Sequence, residues 1–472
     1  MNKKTTYNLI SSICFIVVVL LLWTLAVALV NNSYIAPPIQ DVLSAMLKIF
    51  YVSEFYTAYF STLLHALIGF VLSFVVGFAF AILGSINKKA RYVFAPMVSS
   101  VRLVPTMAIA LILCLWVSAE IAPAIVAFIV VMPTVYSSSL AVFDGVDKDL
   151  LIMAKSYGVP MSKTVKQIIV PSCLDGIASS LSSAFSLTLK LTVGAEVLVG
   201  ALQSMGGLMY YAKNVYLDSA LVFAITIWIV ITGIVGQIAL YSLRKLVKPA
   251  KVCCEQAKEE NKPANDIILK DVGVKYDKQA VLEGINLHIK AKENIAIMGK
   301  SGCGKTTLLK AISNLVDYEG KIDSENDYAF VFQNDRLIPF LSPKQNLAFV
   351  KDGDGSEILD VMGLEDEKDK QAKNLSGGMA RRVALSRAVY KNASCILADE
   401  PFTGLDVSTK HSILTALKPL VRDKTLLLVT HDLYSAYELC DKIVVLDDKK
   451  IVKIIETSTY SREKTEKYLE SL

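Results

Sequence analysis

Cysteine occurs eight times in these 472 residues, at no spacing that a zinc site requires. The eight are Cys14, Cys114, Cys173, Cys253, Cys254, Cys303, Cys395 and Cys440. Cys253 and Cys254 are adjacent, which is poor geometry for a disulfide. Internal repeats and low-complexity tracts are absent, so the chain is no solenoid or array. Charge is scarce as well. Asp, Glu, Lys and Arg make up 20% of the residues, and the net charge of +5 is too modest to point to nucleic acid.

Apolar residues are what the sequence has in excess, at 53% with a mean hydropathy of +0.46. The length exceeds one ordinary domain, and the excess is uneven. Apolar runs fill the chain from Ile10 to Leu243, and beyond Lys245 it reads as a soluble α/β domain. A membrane-crossing helix needs about 20 apolar residues. Six such segments are expected, at residues 10–30, 60–83, 93–117, 121–143, 176–199 and 219–243. The first follows Lys3 and Lys4, as a signal peptide would, but its apolar run exceeds the roughly 7–15 residues usual there.

Basic residues set the expected orientation. Lys3 and Lys4, then Lys88, Lys89 and Arg91, then Lys148, Lys155, Lys163 and Lys166, then Arg244, Lys245 and Lys248 alternate with loops carrying only Lys48 and Lys213. Both termini are expected in the cytoplasm, and every cysteine in the bilayer or on the reducing side.

Residues 144–174 form a long cytoplasmic loop. A helix over 150–157 is expected to break at Gly158 and Pro160, and a second short one, 164–170, to end at Pro171. With Ala154, Gly158, Ile169 and Pro171, this loop resembles the coupling loop of binding-protein-dependent ABC importers. Ile152 stands where that pattern has Glu, a departure. The stretches 101–116 and 194–212 are similar to permeases of the nitrate/sulfonate/taurine importer group, over most of residues 60–245.

Residues 245–266 are polar, carry Pro249 and Pro263, and read as a solvated linker. Beyond them, an apolar strand at 294–298 runs into Gly299, Lys300, Ser301, Gly302, Cys303, Gly304, Lys305, Thr306 and Thr307, followed by an apolar-periodic helix. Strand, glycine-rich loop and helix are the context of a P-loop, whose inward N–H groups and helix dipole cradle phosphate. Lys305 is placed to reach the β- and γ-phosphates, and Thr306 to ligate Mg²⁺. Gln333 ends a strand; Leu-Ser-Gly-Gly-Met, with Ser376, Gly377 and Gly378, precedes a helix; Asp399 and Glu400 end a buried strand; His431 ends another.

This ordered set resembles the ABC ATPases over residues 267 to about 455. The resemblance implies ATP and Mg²⁺ as cofactors. Asp399, Thr306 and Gln333 would then serve the metal, Glu400 and His431 catalysis, and Tyr276 adenine stacking. Ser376–Gly378 would meet the γ-phosphate held by a second copy, so a homodimer is implied. Asp406 would lie near that interface. His65, His288 and His411 lack such context and stay unassigned.

The expected architecture is therefore a six-helix α-helical transmembrane bundle of the type I importer kind (1–244), a linker (245–266) and an α/β P-loop NTPase domain (267–472). The expected activity is ATP-driven import of a small solute across the cytoplasmic membrane. A separate extracytoplasmic substrate-binding protein would deliver it. Arg102, Lys190 and Glu196 lie in or near the spans and are candidates for the solute path, because ionisable groups at membrane depth are costly and face a cavity or a partner. Two cations favour an anion, such as a sulfonate, taurine or nitrate. A neutral vitamin precursor or heterocycle stays open, as do a half-size exporter and a membrane-anchored signalling ATPase.

Overall fold

The computed structural model describes residues 3–245, 263–276 and 279–471; Cys253, Cys254 and most of the expected linker lie outside them. The chain divides into two compact units. One holds residues 1–146 and 171–248, the other residues 147–170 and 249–472.

The first unit is helical: α1 (Lys3–Val30), α2 (Ile39–Lys48), α3 (Ser53–Ile86), α4 (Lys88–Leu103), α5 (Thr106–Trp116), α6 (Ala122–Asp144), then α9 (Val170–Val199), α10 (Met205–Asn214) and α11 (Ser219–Ser242). Among the described residues, Ser53–Ile86, Ala122–Asp144, Met161–Val199 and Ser219–Lys245 are long and apolar enough to cross a membrane, and Cys14–Val30 is shorter. The expected span at 93–117 is not one straight helix. α4 and α5 meet at 91°. The cause is Pro105, which has no N–H to donate and holds Val104 extended at φ −77°, ψ 125°.

α3 and α6 pack most closely. A Cβ on Gly69 would sit 2.9 Å from the Ala124 carbonyl oxygen, and one on Gly77 2.8 Å from that of Met132. Without hydrophobic drive between helices in lipid, such backbone approach is what association rests on. Phe70, Val131, Val135, Ala184 and Phe185 bury a core where α9 joins this pair.

The second unit begins with α7 (Lys148–Ser156) and α8 (Met161–Thr164). A π-helical turn, Val165–Ile169, follows and leads into α9. Pro171 does not end a helix, contrary to the expectation: it lies inside the continuous helical stretch Met161–Val199, directly after the wider π turn, which accommodates its missing N–H.

The same unit carries two sheets. β1 (Ile267–Tyr276), β2 (Gln279–Ile289) and β4 (Glu319–Asp323) form an antiparallel sheet in the order β2-β1-β4. β3 (Asn294–Met298), β5 (Tyr328–Val331), β6 (Cys395–Asp399), β7 (Thr425–Val429), β8 (Lys442–Asp447) and β9 (Lys450–Glu456) pair in the order β5-β6-β7-β3-β8-β9. All but β9 run parallel. β6 and β7 are buried at every residue, as strands covered on both faces must be. The helices of this part are α12 (Lys305–Ile312), α13 (Pro343–Val350), α14 (Ser356–Val361), α15 (Gly377–Lys391), α16 (Val407–Val421), α17 (Leu433–Leu439) and α18 (Arg462–Glu470), of which α12, α15 and α17 pack on strands of the larger sheet.

Candidate functional site

In a parallel sheet the carboxyl ends of the strands share one edge, where ligands bind. Here β5 runs out toward Gln333, β6 ends at Asp399 before Glu400, β7 ends just before Thr430 and His431, and β3 ends at Met298 before Gly299. Segments far apart in the chain are thus brought to one rim by strand order alone.

Gly304 has φ 102°, a left-handed turn that favours glycine, and directly precedes α12. Lys305 curls back, its Nζ donating to the carbonyls of Gly299 at 2.7 Å and Lys300 at 2.6 Å. The Thr306 hydroxyl donates to Asp399 Oδ2 at 2.8 Å. Burial raises the Asp399 carboxyl above its ordinary value; the Thr306 bond opposes this, and the Glu400 charge adds to it. Glu400 has φ 47°, strained for a residue with a side chain, and its N–H is held by the Val429 carbonyl at 2.9 Å. His431 Nδ1 lies 3.6 Å from Glu400 Oε1, with the imidazole largely exposed. A hydroxyl beside a buried carboxylate suits a small hard cation, which takes its other oxygens from phosphate and water. Among the described residues no group of three or more His, Cys, Asp or Glu is gathered at one place.

The other expected residues make contacts of their own. Tyr276 is half exposed at the end of β1. The Gln333 side chain is exposed, while its carbonyl is bound by Arg381. Ser376 caps α15, its hydroxyl accepting from the Met379 N–H, and a Cβ on Gly377 would meet open space. Asp406 caps α16, and hydrogen bonds from Ser408 and Thr409 hold its carboxyl well below the usual range.

The loop 147–170 belongs to the cassette unit. Leu150, Met153, Ala154, Tyr157 and Ile168 are part of its hydrophobic core. The Tyr157 hydroxyl donates to the Phe330 carbonyl at 3.0 Å. Asp149 pairs with Arg336 at 2.9 Å and Lys163 with Asp352 at 2.7 Å. Gly158 has φ 66° and nothing within 4 Å of a would-be Cβ, so the turn needs it and no close neighbour does. Tyr157, Arg336 and Asp352 went unnoticed in the sequence. The available signal was the apolar face Leu150–Met153–Ala154–Tyr157 on a helix outside the membrane, too apolar for a solvated loop.

In the helical unit, Glu196 is fully buried and accepts from Thr62 Oγ1 at 2.8 Å and the Gly206 N–H at 3.2 Å. His65 Nδ1 lies 2.9 Å from its other oxygen. Histidine had no expected role there. Arg102 donates to the Pro133 carbonyl and the Ser137 hydroxyl, both at 2.7 Å, and Lys190 is exposed. The three expected path residues are therefore not one cluster.

Residues 282–403 match the ABC transporter family, and residues 73–249 the binding-protein-dependent transport system inner membrane component. The chain is 36% identical over 192 residues to the aliphatic sulfonates import ATP-binding protein SsuB 1 of Pseudomonas savastanoi pv. phaseolicola, covering 38% of this chain and 81% of that one. To the SsuB protein of Bacillus thuringiensis subsp. konkukian it is 33% identical over 232 residues, covering 44% and 92%. The spermidine/putrescine import ATP-binding protein PotA of Spiroplasma citri is 35% identical over 214 residues, covering 40% of this chain and 61% of that one.

Proposed function

Because this chain belongs to the ABC transporter family, with an inner-membrane permease component and an ATP-binding cassette in one polypeptide, we propose that it works as an ATP-driven importer fed by a separate substrate-binding protein. The observation that carries this reading is the convergence of Lys305, Thr306, Asp399, Glu400 and His431 on one sheet edge, in a unit that also buries the 147–170 loop of the permease. Residues 1–244 serve as the permease and 267–472 as the cassette. The chain is a multi-pass protein of the cytoplasmic membrane with both termini inside.

On ATP binding, Lys305 exchanges the two loop carbonyls for the β- and γ-phosphates. The Gly299–Thr307 N–H groups surround them, and Tyr276 stacks on adenine. Thr306 and Asp399, with Gln333, would hold Mg²⁺, which when bound neutralises charge on the phosphates. Glu400 orients the attacking water and accepts its proton, and His431 reaches the γ-phosphate. One chain has one P-loop and one Ser376–Gly378 signature. Two copies with isologous contacts complete two sites, each signature closing on its partner's nucleotide.

The solute is a small anion of the sulfonate class. Support comes from the sulfonate-import relatives and from the exposed Lys190 side chain, which has no ion pair among the described residues. A second reading, a neutral heterocycle, is favoured by a cavity of about 460 Å³ lined by Phe50, Phe55, Tyr56, Tyr59, Phe60 and Trp228, with no charged residue.

The test is hydrolysis in lipid nanodiscs. Glu400→Gln should bind ATP like the parent while turnover falls by about 10²–10⁴, the worth of a positioned general base. Turnover near the parent rate removes Glu400 from its role. The solute is read by mass spectrometry of what co-purifies with the binding protein.

A further inference from the structure

Arg387 lies on α15, the helix that starts at the signature, and is 1% exposed. Its Nη2 donates to the Asp335 carbonyl at 2.9 Å and its Nη1 to the Arg336 carbonyl at 2.8 Å. The guanidinium carbon also stands 5.3 Å from the centre of the Tyr157 ring. Tyr157, itself 1% exposed, comes from the permease loop and bonds the Phe330 carbonyl. Three segments that must move together thus meet at one dry point. They are the signature helix, the stretch 330–336 around Gln333, and the loop.

The surroundings fix this point from several sides. Arg381, one and a half turns earlier on α15, donates to the Phe332 carbonyl at 2.8 Å and pairs with Asp335 at 3.0 Å. The Arg336 guanidinium covers the Phe332 ring at 3.8 Å and pairs with Asp149 of the loop. Asp149–Arg336 is partly exposed and screened. Arg387–Tyr157 is not, and a desolvated cation over an aromatic face is the stronger contact. Arginine suits it, since its planar fork grips two successive carbonyls while its face stacks.

We propose that Arg387 and Tyr157 form the joint through which the signature helix and the permease loop sense each other, as positioning residues that touch neither nucleotide nor solute. This rests on the reading above that Ser376–Gly378 closes on ATP. Closure pulls the N-terminus of α15. Arg387 carries that displacement to the carbonyls of residues 335 and 336 and to the Tyr157 ring, so α7 follows.

The experiment is hydrogen–deuterium exchange on the full chain in lipid nanodiscs, with and without ATP and Mg²⁺. Peptides covering 148–157 and 377–391 are followed. In the parent both should change on adding ATP. In Arg387→Met the signature end of 377–391 still responds, and the response of 148–157 falls about threefold or more, within the range by which single residues alter coupling. Tyr157→Leu should do the same. Tyr157→Phe, which keeps the ring and loses only the Phe330 bond, should retain most of the response. If Arg387→Met does not fold, Tyr157→Leu against Tyr157→Phe decides. A full response at 148–157 in both Arg387→Met and Tyr157→Leu overturns the joint alone. No ATP response at the signature in the parent overturns the nucleotide reading, and the joint with it.

Discussion

In the cassette, the candidate site is assembled from the ends of neighbouring parallel strands. Each contributing residue is announced by its own short segment: Lys305 by a glycine loop, Asp399 and Glu400 by an apolar run, His431 by another. In the helical unit the buried carboxylate Glu196 on α9 is held by Thr62 and His65 on α3 and by the start of α10. Nothing near Glu196 in the sequence points to His65, which lies 131 residues away. A parallel sheet delivers residues to a common edge from local signals. A helical bundle delivers them by which faces happen to pack.

The sharpest way to break that contrast is to remove the bundle's polar anchor. Glu196→Leu leaves the Gly206 N–H, the Thr62 hydroxyl and the His65 ring without their acceptor in a dry site. Losing one side of such a buried cluster costs about 3–5 kcal/mol. Glu196→Gln keeps an acceptor for Thr62 and Gly206 and offers its amide to His65, so its loss should be only about 1 kcal/mol. Thermal unfolding followed by intrinsic fluorescence in detergent separates the two. Equal midpoints for both variants would make Glu196 a bystander of packing.

What could be read from sequence follows the same division. The strand limits of β3, β6 and β7 agree with their apolar runs, because a strand buried on both faces has no other reason to be so apolar. The helical unit was less legible. Pro105 splits an apolar run that hydropathy alone joins, since an averaging window sees apolar side chains and not a missing N–H. Pro171 misled in the opposite direction, because a proline tolerated inside a helix and one that stops a helix look alike until the π turn ahead of it is seen. The coupling-loop pattern around Gly158 marked the segment 147–170, but the contact between Tyr157 and Arg387, 230 residues apart, had no signal of its own.

The cassette's anchor should respond differently to loss. The fold raises the Asp399 carboxyl above its ordinary value, chiefly by burial. With its pKa higher folded than unfolded, it adds stability at low pH that is lost as pH rises through the folded value. Asp399→Asn removes that loss and keeps an acceptor for Thr306. The variant should therefore match the parent in acid and exceed it near neutral pH, while hydrolysis fails. Unfolding midpoints measured across pH 4–8 test this, and a constant difference across that range would discard the buried-charge account.

The smallest effect belongs to a pair that looks strong. Arg91 donates to both oxygens of Asp144, at 3.1 and 2.8 Å, with both side chains nearly half exposed. Each charge sits at the wrong end of its helix: Arg91 in the first turn of α4, against the positive pole, and Asp144 at the last residue of α6, against the negative one. Alone, each is unfavourable; together they cancel. Arg91→Gln and Asp144→Asn should each lower the unfolding midpoint slightly, because each leaves the other charge facing its own pole. The double variant should regain the parent midpoint to within about a degree, since a screened surface pair adds little of its own. If the double variant falls by the sum of the two single losses, the pair is not cancelling misplaced charges. Raising the salt should shrink both single-variant differences, as it does not for the buried cluster at Glu196.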